Sequence, residues 1–363
     1  MGEGKLQKNY IRYAGNKRKI VPQILSWISE LNVNTVLDGF SGSTVVSQAL
    51  KNNEYVVGCN DISVYSKVFA DCFLLNRKPQ SFFEPYIEEL NSLTGIDGWF
   101  TSNYGGYDMN GSTVQKDGKK RPFQIHNTKK IDAIRDKIDS FFPNDCIEKS
   151  VLITSLILSM DKVSNDMGHQ VSYLKTWTKK SYGDIILEVP NFKIDNLDHK
   201  VYQKTIFDVE DKYDLVYVDP PYGTSNKKTP TSRVRYQSYY HLWTTICLND
   251  KPNTVGVANR RHDASSDKIK SSISEFENLD VKYVEDAFIK LIDKFKDSHI
   301  IISYNNRSKV TIDKLLEIFD KRINNHISFP YKENAQTNAV LNSKYKIVHK
   351  EPLKEHLFLL NPY

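Results

Sequence analysis

Two apolar strand-length runs with one helix between them constrain this chain of 363 residues more than any other feature. Thr35 to Phe40 reads as a buried strand, and Tyr55 to Cys59 reads as a second. Gly42 and Ser43 follow the first run, and Thr44 to Leu50 carries helical spacing. A strand, a helix and a strand at this separation form a βαβ unit, which implies a parallel sheet. Upstream, Ile20, Ile24, Ile28 and Leu31 recur at helical spacing, with Pro22 near the start, where a missing N–H costs little. Strand signals return at Lys204 to Phe207, Leu215 to Val218, Thr254 to Ala258 and His299 to Ser303, with helical stretches between them. The expectation is one α/β, Rossmann-like sheet with helices on both faces.

The alternation is interrupted from about 63 to 200, where helices dominate. Ile131, Ile134, Ile138 and Phe141 mark one helix, and Ile147 to Val163 is a second, more thoroughly apolar one. Between roughly 99 and 127 lies a polar stretch rich in Gly and Asn, with Lys116, Lys119, Lys120 and Arg121. Its length reads as a long functional loop. Ile312 to Phe319 reads as a helix, followed by strand-like runs to Tyr363. The expected division is therefore 1–62 and 201–311 for the sheet domain, 63–200 for an inserted, mostly helical segment, and 312–363 for a C-terminal extension.

Composition excludes several classes. At 39% hydrophobic and 26% charged, the chain is neither a disordered tail nor a collagen. The densest apolar run, Leu152 to Met160, is interrupted by Thr154, Ser155 and Ser159, well short of the roughly 18 residues a membrane helix needs. The first residues, Met1 to Lys5, hold no apolar signal region, so a cytoplasmic location is expected. Cys59, Cys72, Cys146 and Cys247 form no CxxC pair and read as thiols in a reducing compartment, with no metal site. The formal charge of +6 permits a polyanionic partner without demanding one.

The sharpest chemical feature is Asp219-Pro220-Pro221-Tyr222, directly after the strand Leu215 to Val218. In open α/β sheets, ligands bind beyond the carboxyl ends of strands. These residue types suit the holding of a planar exocyclic amine. Asp219 can accept one N–H, and a backbone carbonyl of the Pro-Pro segment can accept the other. The prolines stiffen the turn and bring no N–H of their own. Tyr222 offers a flat face on which a base can stack. Two acceptors would free the nitrogen lone pair for attack without a strong general base. The plain alternative is a Pro-rich turn capping a strand.

A nucleophile of this kind needs a methyl donor. Asp38-Gly39-Phe40-Ser41-Gly42-Ser43 follows the first strand and opens a helix, and glycine there lets backbone approach a ligand closely. Asp61 lies 23 residues beyond Asp38, where an acid can accept both hydroxyls of a ribose. Asp208 ends the expected strand before the Asp-Pro-Pro-Tyr strand and is a candidate for an adenine amino group. Packing alone also explains a strand-Gly-helix turn, and either acid alone reads equally as a strand-end polar residue.

Together these residues resemble the amino-directed DNA methyltransferases that use S-adenosylmethionine. Tyr13-Ala14-Gly15-Asn16-Lys17 is similar to the aromatic-x-Gly-x-Lys motif of their α-class, Dam-like adenine-N6 members, and the order of motifs is the same. The resemblance covers about 1–62 and 201–310, and Asp161 to Lys175 resembles a segment of one branch. It implies a methyltransferase sheet, with the inserted segment as target-recognition segment. It implies Tyr13, Lys17, Asp38, Phe40, Gly42, Asp61 and Asp208 at the cofactor, with Lys17 at its methionine carboxylate. It places Asp219, Pro220, Pro221 and Tyr222 at the target base. One departure is Ser43, where many relatives have a second glycine.

The same resemblance makes Tyr304, in Ser303-Tyr304-Asn305-Asn306-Arg307, a candidate for packing against the target base; a tyrosine ending a strand is the plainer reading. Tyr239, Tyr240, His241 and Trp243 read mostly as core of a following helix. An adenine inside a duplex must swing out to be methylated, and phosphate contacts must offset part of that cost. Lys227, Lys228, Arg233 and Arg235 follow Tyr222 closely and suit phosphate binding, as do Lys119, Lys120 and Arg121 in the inserted segment. A solvated surface loop is the alternative. The expected activity is methylation of adenine N6 in double-stranded DNA by a monomer, with a companion restriction endonuclease as a further expectation. The same chemistry on cytosine N4 or RNA, or a silent DNA-binding subunit, remain the competing readings.

Overall fold

The computed structural model describes residues 10–222, 236–265, 274–278, 280–330 and 352–363. Seven strands form the central sheet: β1 (Thr35–Asp38), β2 (Val56–Asn60), β3 (Lys200–Tyr202), β4 (Leu215–Val218), β5 (His299–Asn305), β6 (Ile323–Pro330) and β7 (Lys354–Leu360). Their order across the sheet is β6-β7-β5-β4-β1-β2-β3. The pairs β1 with β2, β1 with β4, β2 with β3 and β4 with β5 are parallel. Strand β7 runs antiparallel to both its neighbours, β5 and β6.

Both faces of the sheet are covered, which explains why its strands read as continuous apolar runs. Along each strand, alternate side chains enter opposite clusters. Val36, Leu215, Tyr217, Ile301, Leu357 and Leu359 enter one. Leu37, Val216, Val218, Ile300, Ile302 and Phe358 enter the other. The helices Val21–Ser29, Val45–Asn52, Val64–Ala70, Ile125–Phe141, Ile147–Val163 and His241–Leu248 add their apolar faces to the first cluster. Val281–Lys294 and Ile312–Phe319 serve the second. The helices between 63 and 200 thus form part of the layer on one sheet face, sharing its core. Among the described residues, no helix is long and apolar enough to cross a membrane.

Four expectations are corrected. The strand expected at Lys204 to Phe207 lies earlier, at β3, and Ile206–Asp208 is a 3-10 turn. Ile206 turns inward because its Cδ1 fills the space beside Gly39, 2.4 Å from where a Cβ would stand. The strand expected at Thr254 to Ala258 is only Thr254–Val255, paired antiparallel with Arg260–Arg261 outside the central sheet. Gly256, at φ +73°, turns the chain away. The stretch 99–127 is not one loop. It contains the helix Trp99–Tyr104 and a parallel pair, Gly105–Gly106 with Phe123–Gln124. That helix is capped from afar: Asp132 accepts from the N–H groups of Phe100 and Thr101 at 3.0 and 2.8 Å, so no local capping signal announces it. Finally, 312–363 supplies β6 and β7, which complete the sheet itself rather than extend it.

Phe358 on β7 is fully buried, stacked on His326 at 4.5 Å and edge-on to Phe319 at 5.4 Å. Phe358→Ala is expected to cost about 3–5 kcal/mol of stability. Urea denaturation followed by circular dichroism measures this; an unshifted midpoint would show that β7 is not part of the cooperative fold.

Candidate active site

Parallel strands end at a common edge, and the candidate site lies where β1, β2 and β4 end together. A cavity opens there, lined in part by Tyr13, Phe40, Asp61, Ile206, Asp219 and Tyr236. A smaller hollow shares Tyr13, Phe40 and Asp219 with it and is also lined by Lys17, Asp38 and Gly42.

The turn after β1 is fixed by hydrogen bonds from its own backbone. Gly39 N–H donates to the Tyr217 carbonyl at 2.9 Å, and Ser41 N–H to the Asn60 carbonyl at 3.0 Å. Gly42 N–H donates to Asp61 Oδ2 at 2.9 Å, which ties the turn to the end of β2. Gly42 sits at φ +48°, and a Cβ there would stand 2.8 Å from the Tyr13 hydroxyl. Ser43 needs no left-handed backbone; Thr44 takes that conformation instead, at φ 60°. The absent second glycine is therefore accommodated.

Two acids sit beside this turn. Asp61 accepts from Ser63 N–H at 2.8 Å with its other oxygen. Burial pushes its pKa up, and the N–H bonds from Ser63 and Gly42 oppose that. Asp38 is buried, and its Oδ2 accepts from Ser47 Oγ at 2.6 Å. Its Oδ1 has no partner among the described residues. Burial pushes its pKa to about 7, against the Ser47 bond and with help from Asp219 and Asp61. A buried carboxylate oxygen with spare acceptor capacity suits a ligand ammonium.

The segment carrying Tyr13 and Lys17 is latched to the far end of the helix Ile147–Val163. Arg12 pairs with Asp161 at 3.1 Å and Asp166 at 2.9 Å. Tyr13 stacks on Tyr240 at 4.5 Å, and Ala14 N–H donates to the Tyr240 hydroxyl at 2.6 Å. This delivers Lys17, itself buried, to Asp219 at 3.2 Å and to Glu355 at 3.0 Å. Burial opposes the lysine charge, but the two carboxylates outweigh it and hold the Lys17 pKa above its ordinary value.

Asp219 follows β4 and is only partly buried, with its side chain 19% exposed. Tyr222 Oη lies 2.5 Å from Asp219 Oδ1 and 2.6 Å from Glu355 Oε1, so its one proton serves one carboxylate at a time. Burial pushes the Asp219 pKa to about 6; Lys17 pulls it down and Glu355 pushes it up. Glu355 goes the other way. Lys17, Ser303 and Tyr222 together overcome its burial and hold it below its ordinary value. Asp38 and Asp219 thus keep a proton to higher pH than in the unfolded chain. Their contribution to stability is present below about pH 4 and is lost as pH rises through about 6 to 7.

Tyr13, Lys17, Asp38, Phe40, Gly42, Asp61, Asp219 and Pro221 meet around the two hollows. Pro220 is buried behind them. Tyr222 turns its hydroxyl to the carboxylates, and Lys17 Nζ lies 4.6 Å from its ring centroid. Asp208 stands elsewhere. It is exposed on the 3-10 turn, and Lys204, Thr205 and Ile206 line the cavity on that side. Tyr304 is fully buried, edge-on to Tyr222 at 5.0 Å and Phe288 at 5.4 Å. The alternation of β5 points it into the core, so it buttresses Tyr222 and presents no face to a base. Arg121 is also buried, paired with Asp117 at 2.7 Å and packed over Gly106, which removes it from the DNA-contact candidates. Lys119 bonds Asn259 at 2.7 Å, and Lys120 is half-buried. Lys227, Lys228, Arg233 and Arg235 lie outside the described residues. Tyr236, Gln237 and Thr244 line the cavity, whereas Tyr240, His241 and Trp243 are core. Glu355 escaped the sequence reading; an acid opening an apolar strand was the signal available.

Comparison with known proteins places the chain. Residues 13–310 match the family described as D12 class N6 adenine-specific DNA methyltransferase. Modification methylase LlaI of Lactococcus lactis subsp. lactis is 29% identical over 325 residues, covering 85% of this chain and 48% of its own. Modification methylase StsI of Streptococcus sanguinis is 26% identical, covering 97% of this chain and 54% of its own. Type II methyltransferase M.NlaIII of Neisseria lactamica is 26% identical, covering 86% and 88%. The chain spans about half the length of the first two relatives.

The turn geometry makes a direct test possible. Gly42→Ala forces a side chain into a left-handed position against Tyr13. It should cost about 1–2 kcal/mol from the backbone alone, with the clash adding to it. Differential scanning calorimetry measures the loss; an unchanged melting temperature would refute the described turn.

Proposed function

We propose a specific activity for this chain, which belongs to the D12 class of N6 adenine-specific DNA methyltransferases: it transfers a methyl group from S-adenosylmethionine to N6 of an adenine swung out of double-stranded DNA. The observation that carries this reading is the position of Asp219, on the wall common to both hollows. An amine acceptor thus stands where the glycine-turn hollow meets the larger cavity.

The residues present fit the cofactor. Lys17 suits its carboxylate, the unpartnered Asp38 Oδ1 its ammonium, and Asp61 its ribose hydroxyls. When bound, the cofactor supplies an electrophilic methyl group. Asp219, ionised above about pH 6, accepts one N–H of the target amine, and a carbonyl of the stiff Pro220–Pro221 turn accepts the other. The amine lone pair is then free for in-line attack. Asp219 can take the proton that the amine sheds after the methyl arrives. Alignment is the main source of rate, worth up to roughly 7–11 kcal/mol in favourable cases. Swinging the base out costs a few kcal/mol, which phosphate contacts offset. The sequence places Lys227, Lys228, Arg233 and Arg235 just beyond Tyr222 for that task. In this reading the enzyme acts as a cytoplasmic monomer. The names of two relatives favour a modification role, and a companion restriction endonuclease extends that reading.

Expression in a methylation-free host, followed by sequencing of modified bases, tests the reading. N6-methyladenine at one short sequence is expected; methylcytosine or unmodified DNA would overturn it. Asp219→Ala should abolish transfer while calorimetry shows cofactor binding largely intact. The rate should also fall as pH drops through about 6, because protonated Asp219 loses acceptor strength. A rate flat from pH 8 to 5 would exclude Asp219 as the ionised acceptor.

A further inference from the structure

Glu355 lies on β7, and its carboxylate is buried. Its Oε1 is a meeting point. Tyr222 Oη stands 2.6 Å away, Ser303 Oγ 2.6 Å and Lys17 Nζ 3.0 Å. Tyr222 and Lys17 also reach Asp219, and both reach the same oxygen, Oδ1, at 2.5 and 3.2 Å. Two carboxylates therefore compete for one ammonium and one phenol proton.

The outcome of that competition bears on the target amine. If Glu355 were neutral, the Lys17 charge and the Tyr222 proton would both settle on Asp219. An acceptor oxygen already filled by a cation and a phenol has little capacity left for an incoming N–H. Charge balance points the same way. Lys17, Asp219 and Glu355 sum to one negative charge, which complements the positive charge that develops on the amine as the methyl arrives. Without the Glu355 charge, the sum is zero.

We propose that Glu355 is a positioning residue for methyl transfer: it draws Lys17 and Tyr222 away from Asp219, leaving Asp219 open to the target amine and the cluster net negative. This rests on the adenine-N6 reading above. Glu355 acts through Lys17 and Tyr222 and touches neither ligand itself. Among the described residues, the charged and titratable groups facing Asp219 are Lys17, Asp38 on β1, Tyr217 on β4, Tyr222, Tyr236 and Glu355. The three tyrosines are held above their ordinary pKa values by burial first and by Asp219, and they stay protonated across the assay range. Lys17 stays charged, and Asp38 is common to wild type and variant. A shift between the two therefore reports the Glu355 charge.

The test compares the full chain with Glu355→Gln, by methyl incorporation from labelled S-adenosylmethionine into DNA of a methylation-free host, from pH 5 to 9. The plateau rate should fall roughly ten- to a hundredfold. The acid limb should move to lower pH, because the neighbouring charge that raised the Asp219 pKa is gone. Melting temperature and calorimetric cofactor affinity should change far less. A wild-type plateau, an unmoved limb, or a rate loss matched by an equal loss of cofactor affinity would each overturn the proposal. Should Glu355→Gln not accumulate as folded protein, Glu355→Asp replaces it: the shorter carboxylate retracts from Lys17 and Tyr222, so a lower rate supports the role and a full rate overturns it. Failure of the adenine-N6 reading shows separately, as a wild-type chain that makes no N6-methyladenine, and the proposal falls with it.

Discussion

Lys17 joins three pieces of chain that are far apart in sequence. One ammonium bridges the turn after β4 and the last strand, and it arrives on an N-terminal segment latched by Arg12. Burying such a charge is costly unless its partners are close and well directed. Here both carboxylates lie within 3.2 Å, and hydroxyls of Tyr222 and Ser303 fill remaining acceptor sites. Loss of both carboxylates would leave a buried charge uncompensated, at a typical cost of about 3–5 kcal/mol, whereas loss of one leaves Lys17 paired with the other.

The βαβ unit and the strands at Leu215 and His299 were legible because a parallel sheet covered on both faces demands continuous apolar runs. The glycine turn and Asp219 were legible because their chemistry is local in sequence. What escaped notice was non-local. Ile206 is held in a turn by the space beside Gly39. The helix Trp99–Tyr104 is capped by Asp132. Tyr304 looked available at a strand end, yet the two-residue period of β5 aims it at Phe288. Glu355 had no local signature of chemistry, because its partners lie on other strands and in the N-terminal segment.

The mild net charge of +6 conceals a division by place. Asp38, Asp61, Asp219 and Glu355 crowd the edge of the sheet around Lys17. Three of the four, Asp38, Asp61 and Asp219, are pushed towards the protonated form, chiefly by burial. A ligand that brings an ammonium or a developing positive charge enters a space where, among the described residues, carboxylates outnumber ammonium groups. Arg121 shows the converse, a buried basic residue in a polar stretch that is engaged by the exposed Asp117.

The antiparallel strand β7 has a consequence in time. It lies between β5 and β6, and residues 354–360 are made after every other strand of the sheet. Until they emerge from the ribosome, β5 presents an unpaired edge, the kind of surface that recruits wrong partners in a half-made chain. The glycine turn, Asp61 and the Asp219 turn can assemble earlier, around β1, β2 and β4. The carboxylate that balances Lys17 comes with the closing strand. A nascent chain can thus shape the two hollows before it carries the finished charge cluster, and pairing of the β5 edge and completion of that cluster are one event.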